Sequence, residues 1–200
     1  MEDNTGNYSN TKEKSIVEET IPETNEWYVI QTMSGKEDIL IRYIEEYVDS
    51  SVVKECFIPK RERKKKIDGK WRVITEKLFR GYIFVVTGEP VGLFFALKQI
   101  PMLSKLLSDG EYTFEKLNNK EVDFISRIGS GRPDHISKIS KVEFDEYSEG
   151  DEVVYIEGDL KSFEGQIKRF DKHRRVAVVE IELFGRKTEV YLEFEFLRKK

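Results

Sequence analysis

The residues best suited to contacting another molecule form a basic run in an otherwise acidic chain. Lys60–Lys66 reads KRERKKK, whereas the chain of 200 residues has a formal net charge of −4 and a pI near 5.5. Clustered cations neutralise phosphates, so this run suits a nucleic-acid backbone. Trp71 lies among the charges and could stack on a base. A solvated loop is the alternative, but the contrast with the chain's negative balance favours nucleic-acid contact.

The basic run requires a β-hairpin to present it. Asp68-Gly69 is a two-residue turn signal, and the alternation of side chains along each strand places part of the charge on one face. The candidate nucleic-acid ligands are Lys60, Arg61, Arg63, Lys64, Lys65, Lys66, Lys70, Trp71, Arg72 and Arg80.

Aromatic residues offer a second kind of surface. Phe79, Tyr82 and Phe84 surround Gly81, and their chemistry alone favours the core of a strand over an exposed interface anchor. Phe184 directly precedes Gly185 in a predicted tight turn, where a buried ring would be hard to accommodate. We therefore expect Phe184 to be exposed.

The sequence contains no recognisable catalytic or metal-binding motif. His135 and His173 are isolated and are expected on the surface, and neither has a second ligand at metal spacing. Cys56 lies in the apolar stretch Glu55–Ile58 and is predicted to be structural, and a single cysteine fits a reducing cytoplasm. No nucleophile elbow, phosphate loop or zinc motif is present. We expect a binding protein without cofactor or metal, not an enzyme.

The order of elements predicts two domains and a polar tail. Residues 1–25 are acidic and polar and are predicted to be disordered, with no secretory signal. Residues 26–128 alternate strands and helices in the order β-α-β-β-β-α-α, which fits a sheet with helices packed against it. Ser34 and Glu37 have the spacing of a helix capping box. The longest apolar run, Val91–Leu97, is too short to span a membrane.

The final third of the chain predicts a small barrel. Residues 129–145 begin with glycine, serine and proline and are predicted to be a linker. Residues 146–200 contain short β-branched segments of period two separated by glycine-bearing turns, which is typical of five short strands.

Together these segments resemble the NusG family of transcription elongation factors over roughly residues 26–200. The matching motifs of the first domain are Trp27-Tyr28-Val29, Ser34-Gly35-Lys36-Glu37, Phe57-Ile58-Pro59 and Leu78–Val85. Those of the second are Glu149–Val153, Phe163-Glu164-Gly165 of a KOW motif, and Phe184–Thr188. The resemblance implies an α+β fold, with an N-terminal NGN-like α/β sandwich and a C-terminal small five-stranded KOW β-barrel.

The resemblance also implies partners. It assigns Trp27, Phe79, Tyr82 and Phe84 to a surface that docks on the clamp helices of RNA polymerase, and Phe184 to a contact with ribosomal protein S10. The basic hairpin would then meet nascent RNA, non-template DNA or both. The expected protein is a cytoplasmic monomer that does not contact membranes.

Departures from the family pattern indicate a specialised paralogue, of the LoaP antitermination type. Arg80 stands where proline is usual, Gly158-Asp159-Leu160 replaces a common Gly-Pro-Phe turn, and the hairpin is very basic. We therefore expect processive antitermination helped by an RNA hairpin. The alternatives are a housekeeping pausing or termination factor and a ribosome-associated KOW RNA-binding protein, although the acidic pI disfavours the latter.

Overall fold

The computed structural model describes residues 25–102, 104–108, 113–129, 133–145 and 152–197. The predicted disordered tail therefore lies outside the described residues, apart from Asn25. In chain order the elements are β1 (Glu26–Thr32), α1 (Glu37–Tyr47), β2 (Glu55–Phe57), β3 (Lys60–Ile67), β4 (Lys70–Lys77), β5 (Tyr82–Thr87), α2 (Pro90–Gln99), β6 (Ser104–Leu106), α3 (Asn119–Arg127), β7 (Ile136–Ser137), β8 (Ser140–Phe144), β9 (Val153–Glu157), a 3₁₀-helix (Asp159–Gln166), β10 (Ile167–Asp171), β11 (Val176–Leu183) and β12 (Arg186–Phe196).

The first part is a four-stranded sheet with the order β2-β5-β1-β6 and helices on both faces. Alternate residues of β1 and β5 point to opposite sides. Ile30 and Ile83 pair directly and pack with Leu40 of α1 and Leu93 of α2 on one face. On the other face, Val29 and Phe84 pack against α3. The predicted mixed α/β domain is thus a sheet between two helical layers.

The basic segment forms the predicted hairpin. β3 and β4 pair from Lys60 opposite Lys77 to Ile67 opposite Lys70, and Asp68 and Gly69 make the turn at φ 51° and 77°. Both values lie in the left-handed region that a two-residue turn of this kind requires. β7 pairs in parallel with Lys60 and Arg61 only, so the outer edge of β3 is unpaired by backbone strands beyond that point.

The second part is a curled five-stranded sheet that resembles half of a barrel, with the order β10-β11-β12-β8-β9. The long strands β11 and β12 pair over eight residue pairs and are joined by Phe184 and Gly185. β8 joins β12 in parallel. Phe163, Leu160 and Phe194 belong to its buried core. We call this part the half-barrel.

Two local sequence predictions differ from the structure. No side chain caps α1, whose N-cap residue is Lys36, so the capping box predicted at Ser34 and Glu37 is wrong. The structure has its capping box at Asn118 and Glu121 of α3 instead. In addition, residues 129–145, predicted to be a linker, include β7 and β8.

The two parts share a continuous apolar core. Phe124 of α3 lies 4.9 Å from Phe163 of the half-barrel, between ring centroids, and both side chains are fully buried. Ile125 and Ile128 join the same cluster. Because α3 contributes to both sides, it is the element against which the half-barrel is positioned.

None of the helices in the described ranges is long and apolar enough to cross a membrane.

Candidate nucleic-acid and protein interfaces

The tip of the hairpin presents cations that form no ion pair with any carboxylate in the described part of the chain. Lys65 lies opposite Arg72 across the two strands, and Lys66 lies opposite Trp71. All four side chains are exposed, and Trp71 retains 69% of its maximal exposure. Among the described residues, Lys65, Lys66, Lys70 and Arg72 form no ion pair. A cation without a local partner remains available to a phosphate, so the hairpin tip is the sharpest candidate for nucleic-acid contact.

The base of the hairpin is engaged within the protein. Arg61 and Arg63 both pair with Glu76 of β4, at 3.6 and 3.3 Å. The main-chain N–H of Lys64 donates to Glu193 Oε2 at 2.8 Å, while Arg63 Nε lies 3.2 Å from Glu193 Oε1. The predicted cations therefore fall into two groups. Those at the base, Arg61, Arg63 and Lys64, are paired within the protein, and we call them the committed base; those at the tip, Lys65, Lys66, Lys70 and Arg72, form no described ion pair, and we call them the available tip.

Two more bonds join the hairpin base to the half-barrel. Lys64 Nζ pairs with Glu195, and an Arg61 N–H donates to the carbonyl of Tyr191. Glu193, Glu195 and Tyr191 all lie on β12. Strand β12 therefore contacts the outer edge of β3 through two side chains and one main-chain carbonyl, without a strand ladder. Burial raises the pKa of Glu193, and Arg63 and the Lys64 amide oppose this effect without cancelling it.

Lys60 and Arg80 lie at the two ends of the hairpin region, away from its tip. The Lys60 main-chain N–H donates to the His135 carbonyl at 2.9 Å, and its side chain is half-buried. Arg80 is exposed in the turn before β5. The sequence grouped these two residues with the lysines of the tip, but they do not converge with them on one surface.

A cleft of about 870 Å³ separates the hairpin from the half-barrel. Its hairpin wall includes Lys65, Lys66 and Trp71, and its other wall includes Arg174 and Arg175 in the turn between β10 and β11. Glu193 and Glu195 lie along its side. The cleft therefore joins the predicted nucleic-acid ligands to cations that lie more than a hundred positions later in the chain.

The predicted docking aromatics differ in how much surface they offer. Phe84 is fully buried and contacts Phe57 and Phe79, with ring centroids 5.9 and 5.7 Å away. Its side chain can offer no surface to a partner, so it is a core residue. Trp27, Phe79 and Tyr82 are half-buried on the same face of the sheet.

Phe184 covers Tyr82. Their rings stack with centroids 5.8 Å apart and planes 26° apart. Phe184 has φ 54°, a left-handed value that is unusual for a side chain of this size. The ring expected to be exposed is half-buried, because it packs on Tyr82 of the first part. The two aromatic residues predicted to bind different proteins thus lie against each other.

Helix α3 secures this contact through polar bonds. One oxygen of Glu121 accepts the Asn118 main-chain N–H at 2.8 Å, and the other accepts the Phe184 main-chain N–H at 2.7 Å. At the other end of the helix, Arg127 donates to the Ser162 carbonyl and, at 3.2 Å, to Gln166 Oε1. Its guanidinium lies 5.1 Å from the centre of the Phe163 ring.

The remaining reactive residues have structural surroundings. His135 is half-buried at the surface, where it stacks on Phe57 with centroids 3.7 Å apart and its Nε2 lies 2.7 Å from Glu55. Burial raises the pKa of the Cys56 thiol to about 12, with Glu45 and Glu55 acting in the same direction. Within the described ranges, no three histidine, cysteine or acidic side chains form a metal-binding group.

Sequence reasoning missed five residues that contribute to these interfaces. Glu193 and Glu195 alternate along β12 with the core residues Leu192 and Phe194, which could have indicated a charged outer face. Arg174 and Arg175 are basic in the sequence, but no local signal places them beside the hairpin. Glu121 at the third position of α3 was a capping signal that was not used.

The fold and these surfaces define a two-part binding protein, with a basic hairpin on one part and an aromatic contact between the two. A family profile described as "Transcription termination factor nusG" matches residues 25–126, the whole described extent of the first part up to α3. Because this match spans more than half of the chain, the protein belongs to the NusG family of non-enzymatic transcription factors.

Curated relatives are similar over most of the chain. The "Transcription termination/antitermination protein NusG" of Haemophilus influenzae is 27% identical over 191 residues, covering 92% of this chain and 99% of that protein. The protein of the same name from Bacillus subtilis is 24% identical over 180 residues, covering 86% and 97%. A solved structure described as "Domain interaction in Thermotoga maritima NusG" is 21% identical, with a TM-score of 0.47 and coverage of 85% and 94%.

Proposed function

We propose that this protein is a processive antitermination factor that binds RNA polymerase and is directed to its targets by an RNA hairpin. Membership of the family supports the action on transcription, since the relatives are named termination/antitermination proteins. The observation that carries the finer proposal is the hairpin tip, where Lys65, Lys66 and Arg72 pair with none of the described carboxylates and Trp71 is exposed.

The proposed polymerase-binding surface consists of Trp27, Phe79 and Tyr82, and the expected partner is the clamp-helix region. Aromatic side chains make effective anchors because they bury a large area at a low cost in side-chain entropy. Binding across the polymerase cleft would favour the closed clamp over the open states that precede pausing, which is a population shift without bond chemistry. Phe184 is the proposed contact for ribosomal protein S10.

This proposal requires the two parts to separate during function. Tyr82 and Phe184 cover each other in the structure. Neither ring can therefore serve a second protein until the half-barrel leaves α3. Binding to the polymerase or to S10 must supply the free energy that separates them.

A transcription assay with purified polymerase tests the proposal. Templates that share a terminator but differ in leader RNA are transcribed with and without the full-length protein. We expect increased readthrough only on leaders that carry a cognate hairpin. Lys65→Glu with Lys66→Glu and Arg72→Glu should abolish that leader dependence, while leaving the ion pairs of Arg63 and Lys64 intact.

The matched control reverses three exposed lysines of the same part, namely Lys54, Lys105 and Lys120. The control variant should keep leader-dependent readthrough. Readthrough or pausing that is equal on every leader, and unchanged by the hairpin variant, would instead identify a housekeeping factor. Co-purification with ribosomes but not with polymerase from RNase-treated extract would favour the ribosome-associated alternative.

A further inference from the structure

We propose that the cleft between the hairpin and the half-barrel is a single nucleic-acid site, built by both parts, for an unpaired segment of a polynucleotide. The proposal rests on the function proposed above and locates its RNA contact. Its new element is the turn between β10 and β11, which supplies Arg174 and Arg175 as phosphate ligands facing Lys65 and Lys66.

The charge of the cleft carries the first step. Seven lysine and arginine side chains line it against two glutamates, Glu193 and Glu195, although the whole chain is acidic. Those two carboxylates are already paired with Arg63 and Lys64. The positive charge that remains is concentrated on Lys65, Lys66, Arg174 and Arg175. Such a concentration attracts a polyanion despite the opposite net charge of the protein.

The turn between β10 and β11 holds the main chain of its two arginines in a fixed position. Asp171 Oδ1 accepts the Arg174 main-chain N–H at 2.8 Å, and the Arg175 carbonyl accepts the Phe194 N–H at 3.0 Å. The guanidinium of Arg175 lies 5.7 Å from the centre of the Phe196 ring. Both arginine side chains are nevertheless exposed. A fixed main chain with exposed guanidinium groups suits repeated phosphate contacts at low ordering cost.

Trp71 identifies the ligand as unpaired. Its ring is exposed at the rim of the cleft and lies beside Lys66 across the hairpin. A base can stack on this ring only if it has left its own helix. A loop or single strand could place its phosphates between Lys65 and Arg174 and a base on Trp71, whereas a continuous duplex offers no free base.

The two-part construction couples occupancy of the cleft to the arrangement of the protein. A ligand that touches both walls stabilises the packed arrangement and opposes separation by the same free energy. After the half-barrel leaves, only the hairpin ligands remain. Polymerase binding must therefore also offset the contacts to Arg174 and Arg175. The RNA is then retained by the hairpin alone, and this tether raises the effective concentration of the protein at the polymerase.

Fluorescence anisotropy on the full-length protein tests the site. The probes are an RNA stem-loop with a uridine-rich loop, a DNA stem-loop of the same sequence, and the RNA stem as a blunt duplex. Arg174→Glu with Arg175→Glu should weaken stem-loop binding and flatten its salt dependence. Two lost phosphate contacts on a single strand should reduce the slope of log affinity against log salt by about 1.4, equal to about a 25-fold change over a tenfold salt range.

The control, Lys161→Glu with Arg169→Glu, makes the same charge change on exposed residues of the half-barrel that do not line the cleft. It should leave the slope unchanged. Trp71→Ala should weaken binding to the stem-loops but not to the blunt duplex. Tighter binding of the RNA stem-loop than of the DNA stem-loop would identify nascent RNA, and not a displaced DNA strand, as the ligand. The site is supported if either stem-loop loses affinity when the hairpin wall or the turn wall is reversed in charge.

Two results would overturn the inference. In the first, charge reversal at Arg174 and Arg175 leaves the salt slope unchanged, whereas charge reversal at Lys65, Lys66 and Arg72 abolishes binding. The hairpin would then bind RNA alone, and the proposed function would stand without the cleft site. The other is an equal effect of the Lys161 and Arg169 control. If Arg174→Glu with Arg175→Glu lowers the thermal midpoint, Arg174→Gln with Arg175→Gln replaces it, with a smaller loss of slope expected. If both the hairpin variant and the turn variant bind the stem-loop as tightly as the wild type, the RNA-directed function proposed above is wrong as well.

Discussion

Glu37 is a buried carboxylate that joins the start of α1 to the hairpin and to β5. It accepts an N–H from Gly81 at 2.6 Å and forms an ion pair with Lys77 at 2.7 Å, and its side chain is fully buried. Burial raises the pKa of Glu37, but the bonds from Lys77 and Gly81 outweigh burial and lower the pKa to about 2. Gly81 has φ 83°, and a Cβ there would lie 3.1 Å from the Thr32 carbonyl oxygen, so glycine is needed at this contact.

We predict that Glu37 makes the free energy of unfolding decrease as the pH falls. Its pKa is lower in the folded state than its ordinary value of 4.5, so its contribution is complete above that pH and is lost as pH falls through about 2. The shift corresponds to roughly 3 kcal/mol of unfolding free energy. Urea unfolding of Glu37→Gln at pH 7 should show a loss of about 2 kcal/mol, and its stability should fall less steeply between pH 5 and pH 2.

Asp38→Asn is the matched control, because Asp38 pairs with the same Lys77 at 2.5 Å but its side chain is largely exposed. An exposed pair contributes less than about 1 kcal/mol. If Glu37→Gln and Asp38→Asn lose stability equally and keep the same pH profile, the buried carboxylate does not have the role described.

Cys56 should be chemically inert in the folded protein. Burial raises the pKa of its thiol to about 12, so little thiolate exists at pH 8. Because thiolate is the reactive form, labelling by Ellman's reagent should be roughly a thousandfold slower in native protein than in urea. The chain has one cysteine, so the absorbance change reports this residue alone. Comparable rates in both conditions would show that the thiol is accessible and activated.

Among the secondary-structure elements, α3 is the helix whose two ends also bind the half-barrel. Asn118 Oδ1 accepts N–H groups from Lys120 and Glu121 at 2.9 and 3.0 Å, and Glu121 returns a bond to the Asn118 N–H. This reciprocal cap sets where the helix begins. Because Glu121 also holds the Phe184 amide, the start of α3 and the position of the half-barrel depend on one side chain.

Asn118→Ala should cost about 1 kcal/mol of unfolding free energy, since it leaves two N–H groups at the helix start without their acceptor. Asn118→Asp retains the acceptor and should remain within a few tenths of a kcal/mol of the wild type. Chemical denaturation of the three proteins measures the difference. Equal stability of the alanine and aspartate variants would mean that water replaces the cap without cost.

Most elements could be predicted because their signals are local. The predicted Asp68-Gly69 turn agrees with the structure. The helical spacing of the apolar Leu40 and Ile44 in α1, and Pro101 just after the end of α2, are also local signals. β8 was not predicted because its strand character depends on pairing with β12, more than fifty residues away in the chain. The cap of α1 failed for a related reason: Glu37 is occupied by Gly81, a partner that no local rule supplies.

At the scale of the whole molecule, the contact between the two parts determines which surfaces are available. Its components include the packing of Phe124 on Phe163, the Tyr82 and Phe184 stack, the Arg127 bonds, and the pairs between β3 and β12. If f is the fraction of molecules with separated parts, the apparent dissociation constant for a partner of Tyr82 equals the intrinsic value divided by f. Weakening the contact therefore tightens apparent binding without touching the binding surface.

Arg127→Ala should act in this way, because it removes the bonds to Ser162 and Gln166 and the contact with Phe163. A loss of about 1.4 kcal/mol at the contact should raise apparent polymerase affinity about tenfold while the separated fraction is small. Biolayer interferometry with immobilised polymerase provides the measurement. Lys120→Ala changes an exposed residue of the same helix and should leave affinity unchanged.

Phe79→Ala with Tyr82→Ala in the Arg127→Ala background tests the surface itself and should reverse the gain. A gain that persists in this combined variant would place the polymerase contact elsewhere.

The candidate site was only partly predictable at this scale. Composition alone located the basic hairpin, since KRERKKK contrasts with the rest of the chain. The division into a committed base and an available tip depends on Glu193 and Glu195, whose proximity follows from how the two parts pack. The burial of Phe84 and the pairing of Tyr82 with Phe184 likewise depend on neighbours that are remote in sequence.

The outer edge of β3 has a further consequence for the separated state. Once β12 has moved away, the main chain of β3 beyond Arg61 presents unsatisfied donors and acceptors, an arrangement that can recruit a second copy into a growing intermolecular sheet. Five of the six residues from Arg61 to Lys66 are cationic, so two such edges repel each other on approach. The charges that suit this strand to a polyanion thereby also protect the open protein from self-association and precipitation.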